Sequence, residues 1–302
     1  MPKRKLALHK KTISARHAEP RYAARTALHD SGGMDIRLEA LLFDVDGTIA
    51  DTEALGHLPA YNQAFTELEL PWTWDADLYR DDLLLQPGGQ ERIRHFVAAH
   101  KPPLGQHADA AERNLAAWVN QVHAAKSRIF RQRVESGSVP LRHGIGRIIR
   151  EARHAGVRVA LVTNASRRSL EPLLAHTLGP DLQQQLSLIV SGEEVKRKKP
   201  APDIYRKALE KLHVPAHNAV AIEDSAMGLT AAARAGLATL ITINADTREQ
   251  DFTAAAAVCD GLGEPDHSWR VEGLNMQEFG YADLKALQTL LRRYHSQRPH
   301  SD

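Results

Sequence analysis

A single cysteine, Cys259, stands among 302 residues. That excludes an internal disulfide and fits a reducing compartment, so a cytoplasmic location is expected. Long apolar runs are also lacking. No stretch reaches the roughly 18 uninterrupted apolar residues of a membrane span, and the N-terminus lacks the apolar centre of a secretory signal. Neither a spanning segment nor export is expected, and no internal repeat is present. Net charge is small as well, at +2, but it is unevenly spread. Residues 1–33 carry eight Lys and Arg against Glu19 and Asp30, an excess of six that leaves about −4 for the remainder. A basic arm of this kind is a candidate for contact with nucleic acid or an anionic surface. The preferred reading is plainer: an upstream over-extension of the reading frame, with Met34 as a natural start, or a disordered tail. Contact with nucleic acid is kept only as the minor alternative, and a monomer is expected.

What is present is a 43% hydrophobic fraction, enough for one large domain or two modest ones. The run over residues 38–45 reads as a strand buried on both faces, as in parallel sheets. A second such unit comes only much later, with a helix over 143–154, closed by Gly156, and a strand over 157–162. Further short strands follow in "SLIVS", "NAVAIED" and "LATLITIN", with helices in "PDIYRKALEKLHV" and "SAMGLTAAARAG". Strands alternating with helices at this spacing predict an α/β fold with a Rossmann-like, doubly wound parallel sheet. Residues 53–138 have helical character throughout and read as an inserted α-helical cap standing over the C-terminal edge of the sheet, where ligands bind in such folds. The expected division is a basic extension over 1–35, a core over 36–52 and 139–262, the cap over 53–138, and a C-terminal extension over 263–302 that ends in a helix.

The stretch "FDVDGT" sends this first strand into two carboxylates, Asp44 and Asp46. Two such groups close together stay ionised only where a cation or a shared proton compensates. Mg2+, held by carboxylates together with substrate phosphate, is the common solution. Three further signals end predicted strands: Thr163 with Asn164, Lys199 after "SGEEVKRK", and Glu223 with Asp224. Each alone has a plain structural reading. Strands often end in Thr, a "KRKKP" loop is usually solvated, and "EDS" before a helix is a capping sequence. Together and in this order they predict phosphoryl transfer through a carboxylate. Asp44 attacks phosphorus, and Asp46 protonates the leaving oxygen and then takes a proton from water. Mg2+ is held by Asp44, the carbonyl of Asp46 and Asp224, with Glu223 in support. Thr163 and the amides after it bind phosphoryl oxygens, and Lys199 balances charge.

The four ordered stretches "DVDGT", "LVTN", "KKPAPDIY" and "IEDSAMGL" resemble the motifs of the haloacid dehalogenase superfamily, in the branch with a helical cap after the first motif. The similarity covers roughly residues 38–260. Within that branch "DTE", "PWTWDADLYRDDLLLQPGGQERI" and "KKPAPDIYRKALEKLHVP" are similar to the CbbY-like subgroup. The resemblance implies a magnesium-dependent phosphatase for a small phosphorylated sugar, with xylulose 1,5-bisphosphate as the expected substrate. The alternatives are phosphoglycolate, or a phosphomutase activity similar to β-phosphoglucomutase. It also implies Glu53, Tyr79, Gly88, Gly89 and Arg92 as the residues that read the sugar and its distal phosphate. Related sequences often place Lys where this chain has Gln90, which removes a cation from that end. Arg80 and Arg92 are the candidates to compensate.

Overall fold

The structure is a computed structural model and describes residues 35–86 and 88–297. The expectation for the basic arm therefore lies outside the described residues. From residue 36 onward the chain forms one unit.

Seven strands, β1 (Ala40–Phe43), β2 (Arg158–Val162), β3 (Leu188–Val190), β4 (Ala219–Glu223), β5 (Ala238–Thr242), β6 (Ala257–Cys259) and β7 (Val271–Glu272), make one sheet in the order 3-2-1-4-5-6-7. The first six are parallel, and β7 adds an antiparallel edge. β1, β4 and β5 are buried at every position, which follows from their near-continuous apolar sequences and requires cover on both faces. Alternate β1 residues point to opposite sides. Leu41 and Phe43 join one apolar cluster, and Ala40 and Leu42 join another. This is the doubly wound sheet that the sequence predicts.

Between β1 and β2 the chain is helical: α1 (Leu58–Glu67), α2 (Ala76–Asp81), α3 (Gly89–His100), α4 (Ala108–Arg113) and α5 (Leu115–Glu135). These helices share an apolar centre that includes Tyr61, Phe65, Trp72, Trp74, Tyr79, Phe96 and Trp118. Edge-to-face contacts at about 5 Å join Trp72 and Trp74 to Phe65 and Phe96, the arrangement that the ring quadrupole favours. α5 is amphipathic and its far half reaches the other layer, because Ile129, Phe130 and Val134 belong to the cluster on the sheet.

Helices α6 (Ile145–His154), α7 (Arg167–Pro172), α8 (Gly179–Gln183), α9 (Asp203–Leu212), α10 (Ala226–Arg234) and α11 (Leu284–Ser296) flank the sheet. The terminal helix α11 inserts Leu287, Leu290 and Leu291 into the main core, fully buried. The Ser225 hydroxyl accepts from the Gly228 amide and caps α10. This cap fixes the chain direction immediately after Glu223 and Asp224. No helix among the described residues is long and apolar enough to cross a membrane.

Candidate active site

Parallel strands that all end at one edge bring their following residues together there. Asp44 follows β1, Thr163 and Asn164 follow β2, Glu223 ends β4 and Asp224 follows it. All but Glu223 line one cavity of about 1460 Å³ between the sheet edge and the helical insertion.

The turn after β1 separates the two first aspartates. Gly47 adopts φ +86°, and a Cβ there would lie 2.2 Å from Asp224 Oδ2, so only glycine both turns and clears the neighbouring carboxylate. Asp46 consequently turns toward the insertion, where its Oδ1 accepts from the Thr52 hydroxyl at 2.8 Å. Asp44 stays under the sheet edge beside Lys199. The Lys199 ammonium has three protons and three acceptors: Asp44 Oδ1 at 2.5 Å, Glu223 Oε1 at 2.6 Å and the Val162 carbonyl at 2.8 Å. Tyr205 donates to the same Glu223 oxygen at 2.5 Å. Asn164 reaches Lys199 from behind, accepting from its amide at 2.9 Å and donating to its carbonyl at 3.3 Å. Asn164 therefore positions the lysine. Thr163 is buried, and its hydroxyl oxygen accepts from the Ala165 amide at 3.0 Å.

Carboxylate oxygens of Asp44, Glu223 and Asp224 lie within 4.8 Å of one another, all buried. One lysine among three acids leaves negative charge uncompensated. Burial, offset in part by Lys199 and reinforced by Glu223, Asp224 and Asp46, pushes the Asp44 carboxyl well above the usual range. Burial and Glu223 push Asp224 to about 8, against the pull of Arg142 and hydrogen bonds from Asn244 and Thr48. An oxygen-only donor set with excess negative charge fits Mg2+. Both Glu223 oxygens already accept, the second from the Asp224 amide. This leaves Asp44 and Asp224 as the principal holders of an ion, with Glu223 behind them.

On the insertion side Arg92 grips Glu53 with two hydrogen bonds, at 3.0 and 3.1 Å, and donates to the Tyr79 hydroxyl at 2.7 Å. Tyr79 in turn donates to Glu53 at 2.6 Å. Burial alone would raise Glu53, but Arg92, His57 and Tyr79 hold it down to about 2, so it is an anion throughout the physiological range. Gly88 caps α3, and the Gly89 carbonyl accepts from Tyr61 at 3.0 Å. A side chain at Gly89 would meet His123 at 2.5 Å. The expected sugar-reading residues Glu53, Gly88, Gly89 and Arg92 line the cavity, while Tyr79 supports them from the buried layer behind. Gln90 accepts from Arg94, and Arg80 pairs with Asp77 and Asp81 at the surface. Arg80 is thus held by its own acids and is not among the residues lining the cavity, and Arg92 reaches it already paired.

Several participants escape the sequence reading. His57 and Glu53 lie in one π-helical turn, Glu53–His57, that opens the insertion. His57 stacks on Phe130 at 4.0 Å, and its Nε2 stands 3.9 Å from Asp46 Oδ1. Lys126 Nζ lies 2.7 Å from His57 Nδ1. Burial, with Arg92 adding to it, lowers the Lys126 amine to about 7 despite Glu53 and Asp46. Burial and Lys126 also hold His57 well below its ordinary value. Asp46 is raised by burial and by Glu53. One signal for Lys126 was in the sequence: it continues the apolar stripe Trp118, Val119, Val122, Ile129, Phe130 of α5, where a solvated lysine has no place. Arg142 binds the Gly47 carbonyl and the Ile243 carbonyl at 2.6 Å, tying the loop after β1 to the loop after β5 that carries Asn244.

The profile of the haloacid dehalogenase-like hydrolases matches residues 38–236. The chain is 41% identical over 228 residues to the plasmid-encoded protein CbbY of Cupriavidus necator, covering 76% of this chain and 87% of that one. It is 37% identical over 226 residues to the CBBY-like protein of Arabidopsis thaliana, covering 75% and 70%. A crystal structure of a CbbY variant from Rhodobacter sphaeroides in complex with xylulose 1,5-bisphosphate superposes with a TM-score of 0.64, at 38% identity, covering 74% of this chain and 94% of that one.

Proposed function

Because the chain belongs to the haloacid dehalogenase-like hydrolases and is a phosphatase of that family, we propose that it removes a phosphate from a small phosphorylated sugar, with xylulose 1,5-bisphosphate the favoured substrate. The observation that carries this reading is Lys199, which donates to Asp44, Glu223 and the Val162 carbonyl and so holds the two acids beside Asp224 at a sugar-sized or larger cavity. The similarity to CbbY proteins, one of them crystallised with that bisphosphate, supports this choice of substrate.

A carboxylate oxygen of Asp44 forms a bond to phosphorus while the phosphorus–oxygen bond to the sugar breaks. Asp46, whose protonated form is favoured by burial and by the Glu53 anion, gives its proton to the departing sugar oxygen. Water then attacks phosphorus and loses a proton to Asp46, and the bond from phosphorus to Asp44 breaks to release inorganic phosphate and restore both aspartates. Thr163 and the amides after it face the phosphoryl oxygens, and Lys199 offsets the charge on Asp44. Mg2+, held by Asp44, the Asp46 carbonyl and Asp224, neutralises phosphate charge when bound.

The helical insertion supplies selectivity. A cavity of about 1460 Å³ exceeds the roughly 300–1000 Å³ typical of small-ligand pockets, which supports a cap over residues 53–138 that closes on its substrate. Glu53 and Arg92 offer paired polar contacts to sugar hydroxyls. Arg131, Arg168 and Lys198 add positive charge to the cavity lining, to which Gln90 contributes none.

Phosphate release with Mg2+ from xylulose 1,5-bisphosphate, ribulose 1,5-bisphosphate, phosphoglycolate and glucose phosphates, with Asp44→Asn as blank, tests the proposal. Strong preference for the xylulose bisphosphate is expected. Preference for phosphoglycolate would replace the substrate assignment, and isomerised sugar phosphate without free phosphate would replace hydrolysis by a phosphomutase.

A further inference from the structure

A second set of converging ligand atoms lies in the helical insertion, apart from the cavity. Asp82 follows α2, and its two carboxylate oxygens divide between two histidines of α3: Oδ1 lies 2.7 Å from His95 Nε2 and Oδ2 lies 2.7 Å from His100 Nε2. The imidazole rings are nearly perpendicular, at 81°, with centroids 6.4 Å apart. One atom from each of the three residues falls within a span of 4.8 Å. None of the three lines the active-site cavity. Their side chains are 30–39% exposed, so an ion reaches them directly from solvent.

We propose that Asp82, His95 and His100 form a binding site for a divalent cation of the zinc class, separate from the all-oxygen site at the sheet edge. The chemistry of the donors makes the distinction. Two imidazole nitrogens and one carboxylate oxygen suit Zn2+, Co2+ or Ni2+, whereas Mg2+ prefers oxygen donors and bound water. Three protein ligands at a solvent-facing position leave a fourth for water. A carboxylate only accepts, so without a cation each Nε2 carries a proton that it donates to Asp82. Cation binding uses both Nε2 lone pairs. Each proton then leaves Nε2, for Nδ1 of the same ring or, from an imidazolium, for solvent.

The place of the cluster gives the cation a structural role. Asp82 lies three residues beyond Tyr79, and His95 lies three residues beyond Arg92, about one helical turn in each case. Tyr79 and Arg92 meet at 2.7 Å and hold Glu53 between them. A cation bridging Asp82 to α3 ties together the two segments that present this trio. Sequence spacing hides the site: His95 and His100 are five apart on a helix, about 140° around the axis, and converge only through Asp82 from another element.

Zinc chloride is titrated calorimetrically into the full-length protein in millimolar Mg2+, which occupies the acidic site, for wild type, His100→Ala and Asp82→Asn. Wild type is expected to bind one zinc ion per chain more than either variant. In parallel, zinc is expected to protect His95 and His100 of the wild-type protein from diethyl pyrocarbonate, read by peptide mapping, so the result does not depend on a variant folding. Equal zinc stoichiometry in wild type and variants, or unaltered modification of both histidines with zinc present, would overturn the site.

Discussion

Lys199 concentrates the energetics of the site in one residue. It is the cation hydrogen-bonded to both Asp44 and Glu223, and all three residues are buried. Removing one member of a buried charged pair costs about 3–5 kcal/mol, because the partners remain without compensation. Lys199→Met is therefore expected to lose that order of stability at pH 8 without added metal and less at pH 5, because burial raises Asp44 and Asp224 and favours their neutral forms there. Chemical denaturation at the two pH values checks this, and equal losses would contradict it. Asp46→Asn keeps the Thr52 contact within reach but has no proton to give. Its expected effect is a fall in kcat of about 10²–10⁴-fold with little change in KM, measured by steady-state phosphate release. Asp44 and Asp224 were legible in the sequence as members of the candidate site because each follows an apolar strand and the sheet carries strand ends to one edge. Lys199 instead lies beyond β3 and the helical turn Gly192–Glu194, on a loop that returns it to that edge. Asn164 was legible as a member of the site but not in its function, since its partner is the backbone of a residue 35 positions away.

Among the elements, α5 shows most clearly how packing acts on chemistry. Its stripe enters the aromatic layer with Trp118 and Val122 and the sheet layer with Ile129 and Phe130, and Lys126 falls between. The amine is 5% exposed, packs 4.7 Å from the Tyr61 ring centroid, and has a pKa near 7. The unfolded chain protonates this amine up to about pH 10.4. Between that value and 7 it binds more protons than the folded state does, so this group favours folding progressively as pH rises through the window. Below pH 7 the folded protein carries the buried charge at full cost. Lys126→Met should thus melt higher than wild type at pH 6, with the gain shrinking toward pH 9; a gain that grows with pH would contradict the assignment. The helical nature of the insertion was legible from its periodicity. The His57–Lys126 contact was not, because it joins residues 69 apart through a π-helical turn that the sequence does not announce.

At the scale of the whole molecule, the parallel sheet and the acids at its edge are opposed. The sheet demands burial at its edge, and burial raises Asp44 and Asp224. Between about 3.9, the unfolded value, and about 8, the folded protein holds protons on Asp224 that the unfolded chain has released. Stability without metal therefore falls as pH rises through this window. The proposed Mg2+ ion would bind the folded state and offset the repulsion. The melting temperature is expected to rise on adding Mg2+ far more at pH 8 than at pH 5, and an equal rise at both would contradict it. The doubly wound parallel sheet was foreseeable from alternating strands and helices, but its strand order was not. The antiparallel β7, only two residues long, was not, because so short a segment carries no periodicity and gains its place from the edge it completes.

In the proposed reaction phosphate passes through the Asp44 carboxylate. Rapid acid quench of the wild-type protein during turnover with Mg2+ and xylulose 1,5-bisphosphate, followed by peptide mass analysis, tests it most directly. A phosphorylated peptide containing Asp44 is expected to form before phosphate accumulates and to be absent from Asp44→Asn. Release of phosphate with no such peptide, or with the label on another residue, would contradict it.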